Sequence, residues 1–550
     1  MNKKNSTLVL VLFLLGIFMG AIDSGIVSPA RELIQKSFGV ERSIGTWMIT
    51  LYTLIYAVAM PIVSKLADRY GYKIIYVSGI AVFGIGSLLC GLANFYGNFT
   101  FFLVARGIQA VGAGGIIPIA NAYIGQSFPE EKRGTALGLV GAIYGVANIL
   151  GPTIGSAILN IFGNDQWGFI FFINVPISLF IILLSRVMEN TKADNKKAMD
   201  IAGSIVIAGV IGTLMYALTN INFFNLGESI KSTSVYPYLI AFAILLPILI
   251  FIERRTEDPV LNLKYFKSKQ ILTILILAFI VGIGMMGMVF VPQFAENTLK
   301  IKAGNGGYLV TLLAVFSGIS APLSGKLIDK KGARFVLILG FSFNIIGTLF
   351  LGIVAAKSLS FISILIGLAL MGFGVGFTLG APLNYLILQA VPEREGATAL
   401  ATMSLIRSIG VTISPSIMIG FIVNAASNLQ GNLMKVLGNM MPKSGSMAAS
   451  ANAGGQNAKL FQGLQNADVT TIVDSLKNVL KQVVPPQAQS QIVNGIEAMR
   501  AQIESVFQLT LNEGYAQMFI AAAVIAFLGL ITTFLLSKNA IKNVTQKETI

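Results

Sequence analysis

The chain has 550 residues, of which 55% are hydrophobic and 11% charged, a balance that no water-soluble fold of this size can bury. A mean hydropathy of +0.76 agrees and marks a polytopic membrane protein. With no histidine, one cysteine (Cys90) and no G-x-x-x-x-G-K-[ST] run, an intramolecular disulfide, cysteine-based metal sites, imidazole bases and P-loop chemistry are excluded.

Continuous apolar runs of roughly 20 residues, without period-2 alternation, read as bilayer-crossing helices and not as a barrel. They fall at about 8–29, 44–64, 74–93, 99–121, 136–159 and 168–187, then at 201–221 and 236–252. Six more follow at 271–294, 307–325, 335–356, 360–388, 397–424 and 515–537. The expected architecture is an all-α polytopic membrane protein of fourteen spans. Residues 1–190 form a six-helix bundle, 191–265 two linking spans, 266–424 with 515–537 a second bundle, and 538–550 a tail. Lys3, Lys4 and Ser28-Pro29-Ala30 imitate a signal peptide, but the run is too long and contains Asp23, so it is read as a retained first span.

Residues 425–514 depart from this pattern. Gly445 to Gly455 is a low-complexity stretch. Beyond it Val469, Ile472, Val473, Leu476, Val479 and Leu480 recur at helical spacing, as do Ile492, Val493, Ile496, Ile503, Val506 and Phe507. Pro485-Pro486 separates the two runs, which predicts an external amphipathic hairpin, with a disordered spacer as the alternative. Basic residues crowd the termini and alternate loops, while the opposite short loops hold Arg31, Lys36, Arg42, Lys231, Lys300, Lys302 and Lys357. By the positive-inside rule both termini are cytoplasmic, and the basic excess signals topology, not nucleic-acid binding.

The chain repeats itself. Pro61 precedes Ser64-Lys65-Leu66-Ala67-Asp68-Arg69-Tyr70-Gly71-Tyr72-Lys73, and Pro322 precedes Gly325-Lys326-Leu327-Ile328-Asp329-Lys330-Lys331-Gly332-Ala333-Arg334. Each pair is 261 residues apart. Two similar bundles imply a central site with alternating access by rocking. Gly151-Pro152 interrupts span five, and Gly155 leaves it a smooth contact face, which suits packing or a kink that seals one side of a cavity. Gly282, Gly284 and Gly287 spell G-x-G-x-x-G inside an apolar span with no preceding strand, and are read as helix-packing glycines.

These residues resemble the major facilitator superfamily. The two turns look like its G-x-L-a-D-r-x-G-r-k motif, with Ser64 in place of glycine in the first copy. Arg106-Gly107-Ile108-Gln109-Ala110-Val111-Gly112 is similar to R-x-x-q-G-x-g, with Ala110 departing from it. Gly151-Pro152-Thr153-Ile154-Gly155-Ser156 is close to the G-P-x-x-G-G of drug antiporters. Trp167 to Pro176 resembles the sixth-span signature of the fourteen-helix, QacA/EmrB-like drug:proton antiporter branch. The resemblance implies proton-coupled export, with Asp68, Arg69, Gly71, Lys73, Asp329, Gly332 and Arg334 as conformational residues alongside Gly151, Pro152 and Gly155. The glycine replacements suggest looser helix approach at those points.

Away from loops and span ends, the charged residues are Asp23, Arg106 and Arg407. Each is costly in hydrocarbon unless paired or wet, which makes it a functional candidate. Burial disfavours a charged carboxylate and a nearby cation favours it, so Asp23 with Arg106 is read as the proton-coupling pair. Asp23 could instead be a permanently ionised partner or a substrate contact. Arg407 could meet an anionic headgroup, a backbone carbonyl or a carboxylate. Glu296, at the end of span nine, is a second acid or a solvated one. The resemblance places Met19, Trp47, Tyr52, Tyr56, Asn148, Met285, Met286, Phe290, Phe294, Asn384 and Tyr385 in helices around the centre, where methionines and aromatics suit a pocket for many apolar shapes. Packing and lipid contact compete with that role for each.

The leading expectation is a monomeric multidrug exporter, not an enzyme, that needs no cofactor or metal and sits in a bacterial cell membrane. It exchanges apolar or monocationic small molecules for protons among membrane lipids. The competing expectation is an exporter or flippase of a lipid or envelope precursor that uses the external hairpin.

Overall fold

A backbone in hydrocarbon must satisfy its own hydrogen bonds, and the apolar runs accordingly form α-helices. The computed structural model describes residues 3–27, 29–40, 42–45, 47–189, 200–285, 290–291, 294, 307–358, 360–379, 381–438 and 500–536. Its long helices are α1 (Lys3–Ile26), α2 (Trp47–Tyr70), α3 (Tyr72–Tyr96), α4 (Phe99–Ser127), α5 (Glu130–Phe162), α6 (Phe169–Val187) and α7 (Ile201–Asn220). There follow α8 (Tyr236–Arg255), α9 (Lys269–Gly284), α10 (Gly307–Lys331), α11 (Ala333–Ser358), α12 (Phe361–Ala390), α13 (Gly396–Gly438) and α14 (Arg500–Phe534).

Among the described residues, 11 helices are long and apolar enough to cross a membrane, and bent α5 brings the number to 12. Thr7–Asp23 and Lys269–Gly284 are apolar but shorter. The protein is thus an all-helical, multi-pass membrane protein.

Helices α1 to α6 pack on one another, as do α9 to α14, and α5 lies along α10 between the two groups. The α7–α8 pair covers one side of the seam. Ile207, Val210, Ile211 and Met215 of α7 bury against Ala57 of α2 and Leu405 of α13. Helix α8 is largely exposed on its outer face.

Helix reaches into both ends of the polar segment 425–514. Helix α13 runs on to Gly438 and α14 already starts at Arg500. The reason is apolar continuity. Phe507 and Leu511 are buried, and Gly514 packs closely on Ala425 and Ile422. Val506 and Phe507, assigned above to a hairpin arm, belong to the last long helix. At 1.5 Å per residue, the 43 residues of α13 extend about 64 Å, twice the thickness of a bilayer core. The rest of the expected hairpin (439–499), Met286, Gly287, Glu296 and the tail from 537 lie outside the described residues.

Candidate functional site

Helix α1 brings Asp23 to the interior near its C-terminal end, and α4 brings Arg106 to meet it. Arg106 Nη1 donates to Asp23 Oδ2 at 2.9 Å, with the two side chains 2% and 0% exposed. Gln109, one turn further along α4, donates from Nε2 to Asp23 Oδ1 at 2.7 Å and to Ser87 Oγ at 2.7 Å. Its Oε1 accepts from Arg106 Nη1. Asn174 of α6 donates from Nδ2 to Asp23 Oδ1 at 3.2 Å. Asp23 therefore holds three donors from two helices, and the charges cancel. Opposite them, the Tyr52 ring of α2 faces the guanidinium at 4.0 Å and Phe171 lies at 5.5 Å. The two buried charges depend on each other. Removing one partner strands the other charge, at a cost of about 3–5 kcal/mol.

The second part of the site lies at the end carrying the two basic turns. Asp68 of α2 accepts from the Ala397 and Thr398 amides at 3.0 and 2.7 Å, from Thr398 Oγ1 at 2.6 Å and from Tyr72 OH at 2.9 Å. Asp329 of α10 accepts from the Gly134 and Thr135 amides at 2.9 and 3.0 Å and from Thr135 Oγ1 at 2.7 Å. Each carboxylate thus accepts from helix amides in the other group, Asp68 at the first turn of α13 and Asp329 one turn into α5, near helix ends whose positive dipole favours an anion. Gly71 (φ +98°) and Gly332 (φ +84°) turn the chain after each acid in a backbone region that favours glycine. Arg69 lies by Tyr70, Arg334 donates to the Phe534 carbonyl at 3.0 Å, and Lys73 takes no hydrogen bond in either latch.

Between these two regions runs α5. Its segments Lys132–Ala147 and Leu150–Phe162 meet at 42°. Pro152 supplies the cause, since it cannot donate to the carbonyl four residues back. Before the bend α5 packs on α10, with Gly138 against Ala321 and Gly325. After it, Gly151 lies against Ile22 and Gly25, and Gly155 against Ile26 and Pro29, leaving no room for a side chain between α5 and α1. The helix changes partner at the kink. A third tie is the segment after α8. Lys65 pairs with Asp258, while Asn262 Nδ2 and Tyr265 OH donate to Glu395 Oε2 at 3.0 and 2.8 Å. Burial, with Glu395 beside it, pushes the Tyr265 phenol well above its ordinary pKa.

The structure brings Asp23, Arg106, Tyr52 and Met19 together. Met19 is fully buried and its Sδ accepts from Ser178 Oγ at 3.2 Å. Tyr56 stacks under Tyr52 with centroids 6.2 Å apart. Asn384 and Tyr385 are buried in the second half of α12, apart from the Asp23 network. Phe290 is buried, and Phe294 packs on Tyr515 and Phe519 of α14, so both face the core. Met285 ends α9 half-buried. Trp47 follows the packing alternative: it is 38% exposed and stacks on Tyr216 of α7 at 5.8 Å, because the α7–α8 pair covers that side of α2. The Asn148 side chain lies outside the described residues. The packing expectation holds for Gly282, which touches the Arg407 backbone, while Gly284 faces open space. At the end away from the basic turns, a cavity of about 560 Å³ is lined by Arg31, Lys36, Ser156 and Asn160, among others, and by none of the Asp23 network.

Gln109, Asn174 and Ser87 carry the network but were given no role from the sequence. Gln109 could have been found, since it lies three residues after Arg106 and shares its helix face. A second repeat was also overlooked. Pro129-Glu130 and Thr135-Ala136-Leu137 recur 263 residues on as Pro392-Glu393 and Thr398-Ala399-Leu400, and these threonines receive the two carboxylates.

The profile of the Major Facilitator Superfamily matches residues 13–415. The chain belongs to this superfamily. It is 35% identical to the uncharacterized MFS-type transporter YfiU of Bacillus subtilis over 96% of both chains. It is 28% identical to the multidrug transporter protein MdtP of the same organism, over 98% of this chain and 95% of that one. The fold is similar to that of the proton:xylose symporter XylE, with a TM-score of 0.53 at 14% identity over 78% of this chain and 91% of the other. This superfamily member is therefore a membrane transporter and not an enzyme, and its similarity to named multidrug transporters puts it in the drug-efflux branch.

Proposed function

We propose that the protein is a proton-coupled antiporter that exports small, largely apolar compounds, neutral or singly charged, by alternating access. The observation that carries this reading is the buried Asp23–Arg106 pair, a carboxylate held by α1, α4 and α6 with no imidazole anywhere in the chain. A proton arriving at Asp23 neutralises it and frees Arg106, and departing cargo and entering proton use the same switch. The bundles 1–190 and 266–424 with 515–537 rock about the seam, and 191–265 supplies two further spans, fourteen in all. The basic turns face the cytoplasm with both termini, as the positive-inside bias supports.

On this reading the described conformation is closed at the cytoplasmic end, where the two carboxylate latches engage. The kink of α5 turns its far half away from α10. The test is substrate-induced proton release from purified protein, followed by uphill export in proteoliposomes. Asp23→Asn should abolish both. Undiminished proton release in Asp23→Asn would overturn the assignment.

A further inference from the structure

Asp23 and Arg106 neutralise each other, which leaves Arg407 as the third deep charge. It lies eleven residues into α13 (Gly396–Gly438), about 16 Å from the helix start and well inside a core about 30 Å thick. Its side chain is half-buried. No carboxylate lies within ion-pair distance of it among the described residues, and its guanidinium makes no hydrogen bond there. Gly282 of α9 closes against its backbone. Helix α13 packs along α2 here, with Leu405 and Ile409 in one apolar cluster with Leu54, Ala57 and Val58, the turn of α2 that carries Tyr56. Tyr56 stacks with Tyr52, whose ring covers Arg106. Two tyrosines thus separate a neutralised arginine from one that is not.

A lone guanidinium in a low-dielectric interior is strongly disfavoured unless a counter-charge reaches it. The described walls supply none, and the aromatic rings of α2 suit an apolar body. We propose that Arg407 is the cargo-binding cation of a site between α2, α9 and α13, and that this site takes amphiphilic organic anions. The guanidinium fork grips an oxyanion, and Tyr56 and Tyr52 line the space for the ligand's apolar part. This rests on the reading that the seam is the cargo path, and narrows singly charged cargo to the negative sign.

The experiment measures binding to purified full-length protein in nanodiscs of zwitterionic phosphatidylcholine. Three dansylated eleven-carbon probes are used, ending in a carboxylate, a carboxamide or an ammonium group. Wild type should bind the carboxylate about tenfold to a hundredfold more tightly than the carboxamide, the range of a charge-assisted hydrogen bond. Arg407→Gln should erase that margin, and Arg407→Lys should retain part of it. Equal binding of the three probes, preference for the ammonium, or an undiminished margin in monodisperse Arg407→Gln overturns the proposal. If Arg407→Gln aggregates, a margin unchanged in Arg407→Lys also overturns it, because lysine lacks the fork.

Added phosphatidylglycerol that displaces the carboxylate probe identifies lipid headgroups as the source of the oxyanion, and lack of displacement identifies free amphiphiles. The antiport reading is scored separately. A missing margin alongside Asp23-dependent uphill export of a neutral dye overturns the anion site alone. A full margin with proton-independent export overturns the antiport reading alone.

Discussion

Asp68 accepts three hydrogen bonds from Ala397 and Thr398, and Asp329, 261 residues later, accepts the same three from Gly134 and Thr135. Each acid lies in one group of helices and holds a helix start in the other. The end bearing the basic turns is therefore secured twice, by the same chemistry in opposite directions.

Replacing either acid by asparagine removes the charge and turns an amide group toward backbone donors. The expected loss is about 1–2 kcal/mol per latch, or roughly tenfold in the population of the closed end. Spin labels at exposed Tyr70 and Arg394 would report it as a new long-distance component. Cys90 is buried and should not compete for label. The double variant should open further than either single one, and an unchanged distance distribution in the double variant would refute the latch.

The Asp23–Arg106 pair predicts non-additive stability. Arg106→Gln leaves a buried carboxylate unpaired and should lower stability by about 3–5 kcal/mol. Asp23→Asn combined with Arg106→Gln should be milder than Arg106→Gln alone, since no charge is stranded. Thermal unfolding in detergent measures the cycle, and simple additivity would mean that the two side chains act independently.

Gly155→Leu has no space against Ile26 and Pro29, so α1 and α5 should be forced apart. Transport is expected to fall at least tenfold while helix content by circular dichroism stays unchanged. Pro152→Ala restores a backbone donor and should straighten α5, lowering turnover without unfolding. Full transport by Gly155→Leu would remove the α1–α5 contact from the mechanism.

Tyr265→Phe deletes the hydroxyl that donates to Glu395 and should cost about 1 kcal/mol. The phenol's pKa is raised on folding, so its contribution is fully present below the unfolded value near 10 and is lost only as pH rises beyond it. The cost should therefore be equal at about pH 6 and about pH 9. A cost that changes between those two values would show that another group titrates the tie.

Asp23 and Arg106 were legible because a charge inside an apolar run is rare and expensive, so two of them invite pairing. Asn174 was not, because an uncharged amide is common enough in helices to carry no signal without its neighbours. The turn repeat announced itself through Asp68, Gly71, Asp329 and Gly332 at one spacing. Its receiving ends did not, because Gly134 is matched by Ala397 and Lys132 by Glu395, leaving a short shared run. Helix α14 begins ahead of the apolar run at 515 because Phe507 and Leu511 keep one of its faces buried. Which of the two alternatives Trp47 follows was not legible, because no periodicity shows which neighbour will cover it.

The crossed pairing of the latches has one more implication. A residue i that meets j, while j's counterpart meets i's, describes the contact between two identical subunits related by a two-fold axis. Here both subunits are halves of a single polypeptide. Each half carries an acid and a helix start that cannot meet one another, so half-chains made separately should each lack a gate and regain it only on joining. What two copies of a shorter ancestor would have shared as a dimer interface has become, after fusion, the lock of one molecule.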